Sequence, residues 1–233
     1  MKTSHDIISS IKRWGVWFRL GLSDTVSKYR RSYLGPFWLT LGMGITVSGI
    51  GTFWTIIWGV ELKTFFPYFT AGLLIWNFIV GCLVEGSYCF ISQSQVIRAA
   101  PNPLFLYPLR LAVKLAITFA HNFVVFLIVA IIFKVKLTFS TLLIIPGLIF
   151  LFLFAIGSSL LFGIIGARFR DFPPIIEAVV PLFFFVTPVI WFNDALGSRA
   201  ILSTLNPLSH LIDVIRKPML GEIPNPTNYC FTL

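Results

Sequence analysis

Charged side chains are scarce in this sequence of 233 residues. Lys, Arg, Asp and Glu make up 12% of the chain, whereas soluble globular domains carry about 25%. Hydrophobic residues reach 57%, and the mean hydropathy is +0.88. A single soluble domain cannot hide that much apolar surface in its interior. The composition therefore excludes an ordinary soluble protein and predicts an integral membrane protein.

Motifs of nucleotide, metal and hydrolytic chemistry are also lacking. The sequence has no G-x-x-x-x-G-K-[ST] phosphate loop, no H-E-x-x-H and no G-x-S-x-G. The nine acidic residues are scattered, with no paired carboxylates for acid–base catalysis. Cys82, Cys89 and Cys230 form no CxxC pair and are expected to be unpaired apolar side chains. We therefore expect no catalytic residues, no cofactor and no metal in this chain.

Long uncharged runs predict membrane-spanning helices, because about 20 apolar residues in a helix cross about 30 Å of hydrocarbon. Barrel strands would instead alternate and be about ten residues long. The predicted fold class is an all-α polytopic helical bundle in a single transmembrane domain, 1–233. Within it, 1–31 hold an interface helix and a loop, 32–192 the spans, and 193–233 outer helices and a tail. The five runs are 37–60, 64–84, 115–133, 137–167 and 172–192, the last containing Glu177.

The net charge of +9 predicts orientation rather than nucleic-acid binding, because the basic residues flank the apolar runs. Twelve Lys and Arg residues fall on the side of the N-terminus and six on the other. The positive-inside rule therefore places the N-terminus in the cytoplasm.

The N-terminal segment has the pattern of an amphipathic helix. Ile7, Ile11, Trp14 and Phe18 recur at three- and four-residue spacing, with cations on the other faces. Such a helix lies in the membrane interface. It is either a simple lipid anchor or a platform that contacts a cytoplasmic partner, and the pattern alone leaves both open.

Small residues form stripes on two predicted spans, which allow helix backbones to approach closely. The fourth span carries Ser159, Gly163 and Ala167, for which internal packing is the preferred interpretation. On the first span the interpretation is a conduit or dimer interface, with packing as the alternative. His121 is expected to pack or form interhelical hydrogen bonds. The stripe on the first span comprises Thr40, Gly44, Ser48, Gly51 and Thr55.

Two further segments carry an unusual pattern. Arg168, Arg170 and Asp171 precede Pro173 and Pro174, which suit the first turn of a new helix, so a short rigid charged corner is expected there. After Asn206-Pro207, an apolar stripe predicts short helices at the outer face, ended by Pro218 and Gly221. This stripe comprises Leu208, Leu211, Ile212 and Ile215, beside Asp213, Arg216 and Lys217.

Three stretches resemble the permease subunits of ABC-2 type polysaccharide exporters: KYRRSYLGPFWLTLG at 28–42, ARFRDFPPIIEAVVPLFFFVTPVIW at 167–191 and LNPLSHLIDVIR at 205–216. The resemblance implies a homodimeric channel in the bacterial cytoplasmic membrane that is joined to two ATP-binding subunits. ATP and magnesium would then bind to those subunits. The substrate would be an O-antigen, capsule or teichoic acid chain on undecaprenyl pyrophosphate.

The resemblance also implies roles for particular residues. The lipid-linked polymer would enter near Lys28, Arg30, Arg31, Leu34 and Gly35. Spans one and five would line the conduit, the fifth with Phe183, Phe184 and Thr187. Trp14, Arg168, Arg170 and Asp171 would contact the ATP-binding subunits. The outer gate would comprise Asn206, Pro207, Leu208, Leu211, Ile212, Ile215 and Arg216.

The family has six spans, and this sequence contains no sixth apolar run before Leu233.

Other functions are compatible with parts of the pattern. A membrane-embedded glycan-modifying enzyme would use residues such as His121, Glu85 and Glu177. An ABC-2 exporter of small molecules is a third alternative.

Overall fold

The structure, a computed structural model, describes residues 2–28, 32–35, 37–100, 102–192 and 201–232. Within these ranges it contains α-helices, one 3-10 turn over Phe139–Leu143 and no strand. The helices are α1 (Lys2–Lys12), α2 (Trp14–Lys28), α3 (Phe37–Trp58), α4 (Leu62–Ser87), α5 (Ser94–Ala99), α6 (Leu106–Ile132), α7 (Ile144–Arg168), α8 (Phe172–Val186), α9 (Ile201–Thr204), α10 (Pro207–Met219) and α11 (Pro226–Thr232).

Within the described residues, four helical segments are long and apolar enough to cross a membrane: α3, α4, α6 and the continuous segment Phe139–Arg168. They have 22, 26, 27 and 30 residues, respectively. They confirm the all-α polytopic fold class and identify a multi-pass membrane protein. Each corresponds to one of the first four predicted runs.

The fifth predicted span differs from the sequence expectation. Its helix α8 has 15 residues and ends at Val186 rather than at Phe192. At 1.5 Å per residue, α8 is about 22 Å long, shorter than the about 30 Å of a bilayer core. The helix ends there because Thr187 precedes Pro188, and a residue before proline is disfavoured in the helical conformation.

The start of the third span also differs from the expectation. α6 begins at Leu106, whereas the apolar run begins at Leu115. Arg110 and Lys114, expected in the preceding connection, are therefore on the helix. Both carry carboxylate partners at 2.6 Å, which offsets the desolvation that otherwise keeps charges out of such a helix.

The chain divides into two compact units. The first comprises Met1–Gly35, Phe78–Thr118 and Phe152–Pro181; the second comprises Pro36–Asn77, Phe119–Leu151 and Leu182–Leu233.

In the first unit, α4 and α7 pack through small residues. Ser159 is fully buried, and a Cβ added to Gly86 would lie 3.1 Å from its Cα. A Cβ added to Gly163 would lie 3.0 Å from the ring of Phe90. Internal packing, the interpretation preferred for the fourth span, is thus confirmed for Ser159 and Gly163. Ala167 is exposed, and the closest approach is instead made by Gly166.

In the second unit, α10 is a core helix rather than the surface helix that its charges suggest. Leu211, Ile212 and Ile215 are at most 2% exposed, and the charged Asp213 and Arg216 are also buried. The helix contacts α9, α11 and the 3-10 turn. Its burial is possible because the two buried charges, Asp213 and Arg216, neutralise each other in an ion pair.

Candidate functional site

The structure describes part of the segment 28–35, near which the resemblance implies that the polymer enters. Arg30 and Arg31 lie outside the described residues, as does the side chain of Lys28. Leu34 is 45% exposed, and Gly35 has a φ of +54°. Its amide donates to the carbonyl of Ser32 at 3.3 Å. Gly35 thus forms a tight turn that favours glycine, because only glycine adopts positive φ without strain.

The small-residue stripe on α3 divides into two parts. Gly44 and Ser48 line an apolar groove of about 840 Å³, opposite Val125 and Val129 of α6. Thr40 also lines this groove, and its hydroxyl donates to the carbonyl of His121 at 3.0 Å. This half of the stripe therefore combines an open groove with a polar contact between two helices.

The other half of the α3 stripe is packed. A Cβ on Gly51 would lie 3.1 Å from the ring of Phe66, and the buried hydroxyl of Thr55 donates to the Gly51 carbonyl at 2.6 Å. Gly51 and Thr55 therefore serve close packing inside the second unit. Thr40, Gly44 and Ser48 line the open groove, and a conduit along α3 stays a prediction.

The predicted conduit residues near the end of α8 have different surroundings. Phe183 is 43% exposed, whereas the ring of Phe184 lies 5.5 Å from that of Trp76. Thr187 is fully buried, and its hydroxyl accepts a hydrogen bond from the amide of Asn206 at 2.9 Å. Thr187 is therefore packed inside the second unit, and its place in the wall of a conduit stays a prediction.

The charged corner between α7 and α8 forms as the sequence predicts. α7 ends at Arg168, α8 begins at Phe172, and Arg168, Arg170 and Asp171 are all exposed. The carbonyl of Asp171 accepts the amide of Ile175 at 3.2 Å. Trp14, also expected at a partner interface, is 67% exposed. These side chains are accessible, and contact with a partner remains a prediction.

The predicted gate helix is present, although its charged face is buried. Asn206 caps α10 by accepting the amide of Leu208 at 3.0 Å, and Pro207 occupies the first turn. Arg216, only 2% exposed, was expected beside the apolar stripe on an outer-face helix. It instead binds Asp213 and the carbonyl of Pro188 in the core of the second unit.

Sequence analysis did not identify a cavity of about 690 Å³ in the first unit, whose lining includes several charged side chains. The guanidinium of Arg110 donates to both carboxylate oxygens of Asp24, at 2.7 and 2.6 Å, and to the amide oxygen of Gln93 at 2.9 Å. Lys114 forms an ion pair with Glu85 at 2.6 Å. The partners are 86 and 29 residues apart in sequence. The only local signal was the spacing of Arg110 and Lys114, which share one helix face.

The cavity has more negative than positive groups. Its lining includes the carboxylates of Asp24, Glu85 and Glu177 against the cations of Arg110 and Lys114. Because both cations already have carboxylate partners, the cavity does not favour a phosphate or another anion. Its ion pairs connect α6 to α2 and to α4.

Two further groups at the cavity are protonated under ordinary conditions. Burial raises the pKa of the Cys89 thiol to about 12, against a smaller opposing effect of Arg110. Desolvation and then the nearby carboxylate of Glu177 raise the pKa of Tyr88 above its ordinary value. In the described part of the chain, no group of three or more His, Cys, Asp or Glu side chains could hold a metal ion.

No known family profile matches the chain. A curated relative is the O-antigen export system permease protein RfbA of Myxococcus xanthus, which is 20% identical over 201 residues. The alignment covers 85% of this chain and 77% of the relative. It therefore includes spans and connections rather than one hydrophobic segment. The similarity confirms, at the level of the family, the resemblance to ABC-2 type polysaccharide exporter permeases that the sequence patterns predict.

Proposed function

We propose that this chain is the membrane permease subunit of an ATP-driven exporter that moves a lipid-linked polysaccharide of the O-antigen class. The observation that carries the proposal is the similarity to an O-antigen export permease over 85% of the chain. Four apolar helices of membrane-spanning length support it. Capsule and teichoic acid chains are alternative cargoes of the same kind of exporter.

In this proposal the chain binds and conducts its substrate without catalysing a reaction. Two copies of the chain form the channel, and two separate subunits bind ATP and magnesium. The glycan is attached to undecaprenyl pyrophosphate, and the protein lies in the cytoplasmic membrane with its N-terminus in the cytoplasm. The excess of Lys and Arg on the N-terminal side supports this orientation.

In this proposal the glycan passes along the groove beside α3. Thr40, Gly44 and Ser48 present small and weakly polar groups, and no atom lies within 4 Å of a Cβ added to Gly44. Such a surface offers few tight hydrogen bonds, which suits a polymer that must slide rather than bind. Trp54 and Phe53, at a neighbouring groove, offer flat apolar surfaces against which sugar rings can pack.

The test is deletion of the gene in its own host, followed by complementation with the wild-type gene. We expect surface polymer to disappear while lipid-linked polymer accumulates inside the cell, and complementation to reverse both changes. Unmodified polymer that still reaches the surface would instead favour the glycan-modifying enzyme. Unchanged surface polymer with no intracellular accumulation would favour an exporter of small molecules.

The proposed partners are tested by co-purification from the same host. An affinity tag on this chain should retain an ATP-binding subunit, and ATP hydrolysis should require that subunit. ATP hydrolysis by the purified chain alone would contradict the proposal.

A further inference from the structure

The N-terminal helices contact the beginning of α6 at three points, all within the first unit. At the first point, the carboxylate of Asp6 on α1 accepts the backbone amides of Leu104 and Phe105, each at 3.0 Å. These amides immediately precede Leu106, where α6 begins. The amides at a helix N-terminus have no intrahelical partner, and negative charge is favoured there. Asp6 therefore fixes α1 to this end of α6.

At the second point, α2 approaches the backbone of α6. A Cβ added to Gly21 would lie 2.7 Å from the carbonyl oxygen of Arg110 and 2.9 Å from Cβ of Val113. Real side chains do not tolerate such distances, so glycine is required for this packing. The buried hydroxyl of Thr25 donates to the Gly21 carbonyl at 3.4 Å.

At the third point, the carboxylate of Asp24 on α2 accepts hydrogen bonds from Nε and Nη2 of Arg110, at 2.7 and 2.6 Å. The two side chains are 29% and 16% exposed. A two-pronged contact of this kind fixes both distance and orientation, which a single lysine contact does not. The third guanidinium nitrogen, Nη1, donates to the amide oxygen of Gln93 at 2.9 Å, which extends the contact to the turn before α5.

The break between α1 and α2 is also braced. The indole of Trp17 donates to the carbonyl of Ser10 at 3.1 Å, and Arg13 donates to Asn102 at 3.3 Å. A helix that only lies on lipid needs none of these contacts. They favour the platform interpretation of the N-terminal segment over the simple lipid anchor.

We propose that Asp24 and Arg110 are positioning residues that make α1–α2 and the beginning of α6 move as one body during transport. The inference rests on the proposed function, in which the energy source is a separate polypeptide. A displacement of the N-terminal segment by that polypeptide must reach the membrane helices through protein contacts. Of these three contacts, the Asp24–Arg110 pair is the one that joins two oppositely charged side chains, and its two hydrogen bonds resist separation of the helices as well as compression.

The test compares single and paired charge changes in the intact transporter. Asp24→Asn and Arg110→Gln each remove one charge, and the double variant D24R/R110D restores the pair in reverse. Arg98→Gln, which removes an exposed cation on α5, is the matched control. We expect each single variant to lower polymer export at least tenfold, the double variant to recover most of it, and R98Q to stay within twofold of wild type.

A second readout does not depend on transport. Spin labels on cysteines at the exposed positions Ser23 and Leu104 report the distance between α2 and the segment that leads into α6. The distance distribution should broaden in the single variants and narrow again in the double variant. Arg110→Lys, which keeps the charge and removes the fork, should be intermediate, and it replaces R110Q if that variant does not fold.

Two results would overturn the inference. Export within twofold of wild type in both single variants would show that the pair transmits nothing. Loss of export without recovery in a folded double variant would show that Arg110 acts through another group. If polymer still reached the surface in the deletion strain, the proposed function would fail, and the distance measurement would still decide whether the pair holds the two helices together.

Discussion

The guanidinium of Arg216 lies 4.0 Å from the ring centroid of Tyr68, and both side chains donate to the carbonyl of Pro188. Tyr68 also donates to the carbonyl of Trp191 at 2.9 Å. The pair therefore fixes the chain segment that follows α8 between α4 and α10. Asp213 completes the arrangement by neutralising Arg216.

This relationship predicts a large effect of removing the Arg216 charge. Arg216→Gln leaves the carboxylate of Asp213 buried without a cation, which costs about 3–5 kcal/mol in comparable sites. We expect a clear fall in the thermal unfolding midpoint of the detergent-purified protein. The neighbouring Lys217→Gln is the control and should change the midpoint little, because Lys217 is less buried. The double variant D213N/R216Q should be more stable than R216Q, because no unpaired charge remains.

Close packing at the end of α7 gives a second prediction. A Cβ on Gly166 would lie 2.2 Å from the carbonyl oxygen of Ser87, whereas nothing lies within 4 Å of a Cβ on Gly157 in the same helix. Gly166→Ala should destabilise the protein by about 1–3 kcal/mol, as overpacking does. Gly157→Ala should have no destabilising effect. Equal unfolding midpoints for the two variants would show that α4 and α7 do not pack this closely.

The helices and their order could be predicted from the sequence because apolar runs of sufficient length have few alternatives to a membrane helix. The ends of helices that carry charged residues could not be predicted in this way. Arg110 and Lys114 resemble loop residues until their partners Asp24 and Glu85 are known, and these are distant in sequence. Hydropathy assigns charge to the surface and cannot anticipate charges that neutralise each other.

The same limit applies to the candidate site. The stripe on α3 was visible as a helical face, but a stripe of small residues predicts close packing and an open groove equally well. The close packing of Gly51 comes from the ring of Phe66, which is on a different helix. On α10 the apolar stripe was correct, and only the three-dimensional partners of Arg216 show that its polar face is buried as well.

The thiol of Cys89 gives a pH-dependent prediction. Its pKa is raised to about 12 by burial, and only the thiolate is a good nucleophile. In a C82A/C230A background, alkylation of Cys89 should therefore be very slow near pH 7.5. The alkylation rate of the folded protein should increase only as the pH rises toward 12. The control is a protein that lacks Cys89 and carries Gln95→Cys at an exposed position. Its thiol should react readily at neutral pH. Rapid labelling of Cys89 at pH 7.5 would mean that the thiol is not buried in solution.

The groove along α3 gives the last prediction, which separates conduit from packing. No atom of another helix lies within 4 Å of a Cβ on Gly44, and the groove that Gly44 lines has a volume of about 840 Å³. The indole of Gly44→Trp should therefore fit in the groove and leave the unfolding midpoint near that of wild type. If the glycan passes along this groove, the indole obstructs its path, and export should fall at least tenfold. Gly51→Ala is the matched variant on the same stripe. It presses on Phe66 at 3.1 Å and should lower stability with a smaller effect on export per folded molecule. Normal export by a stable Gly44→Trp protein would place the path of the glycan elsewhere.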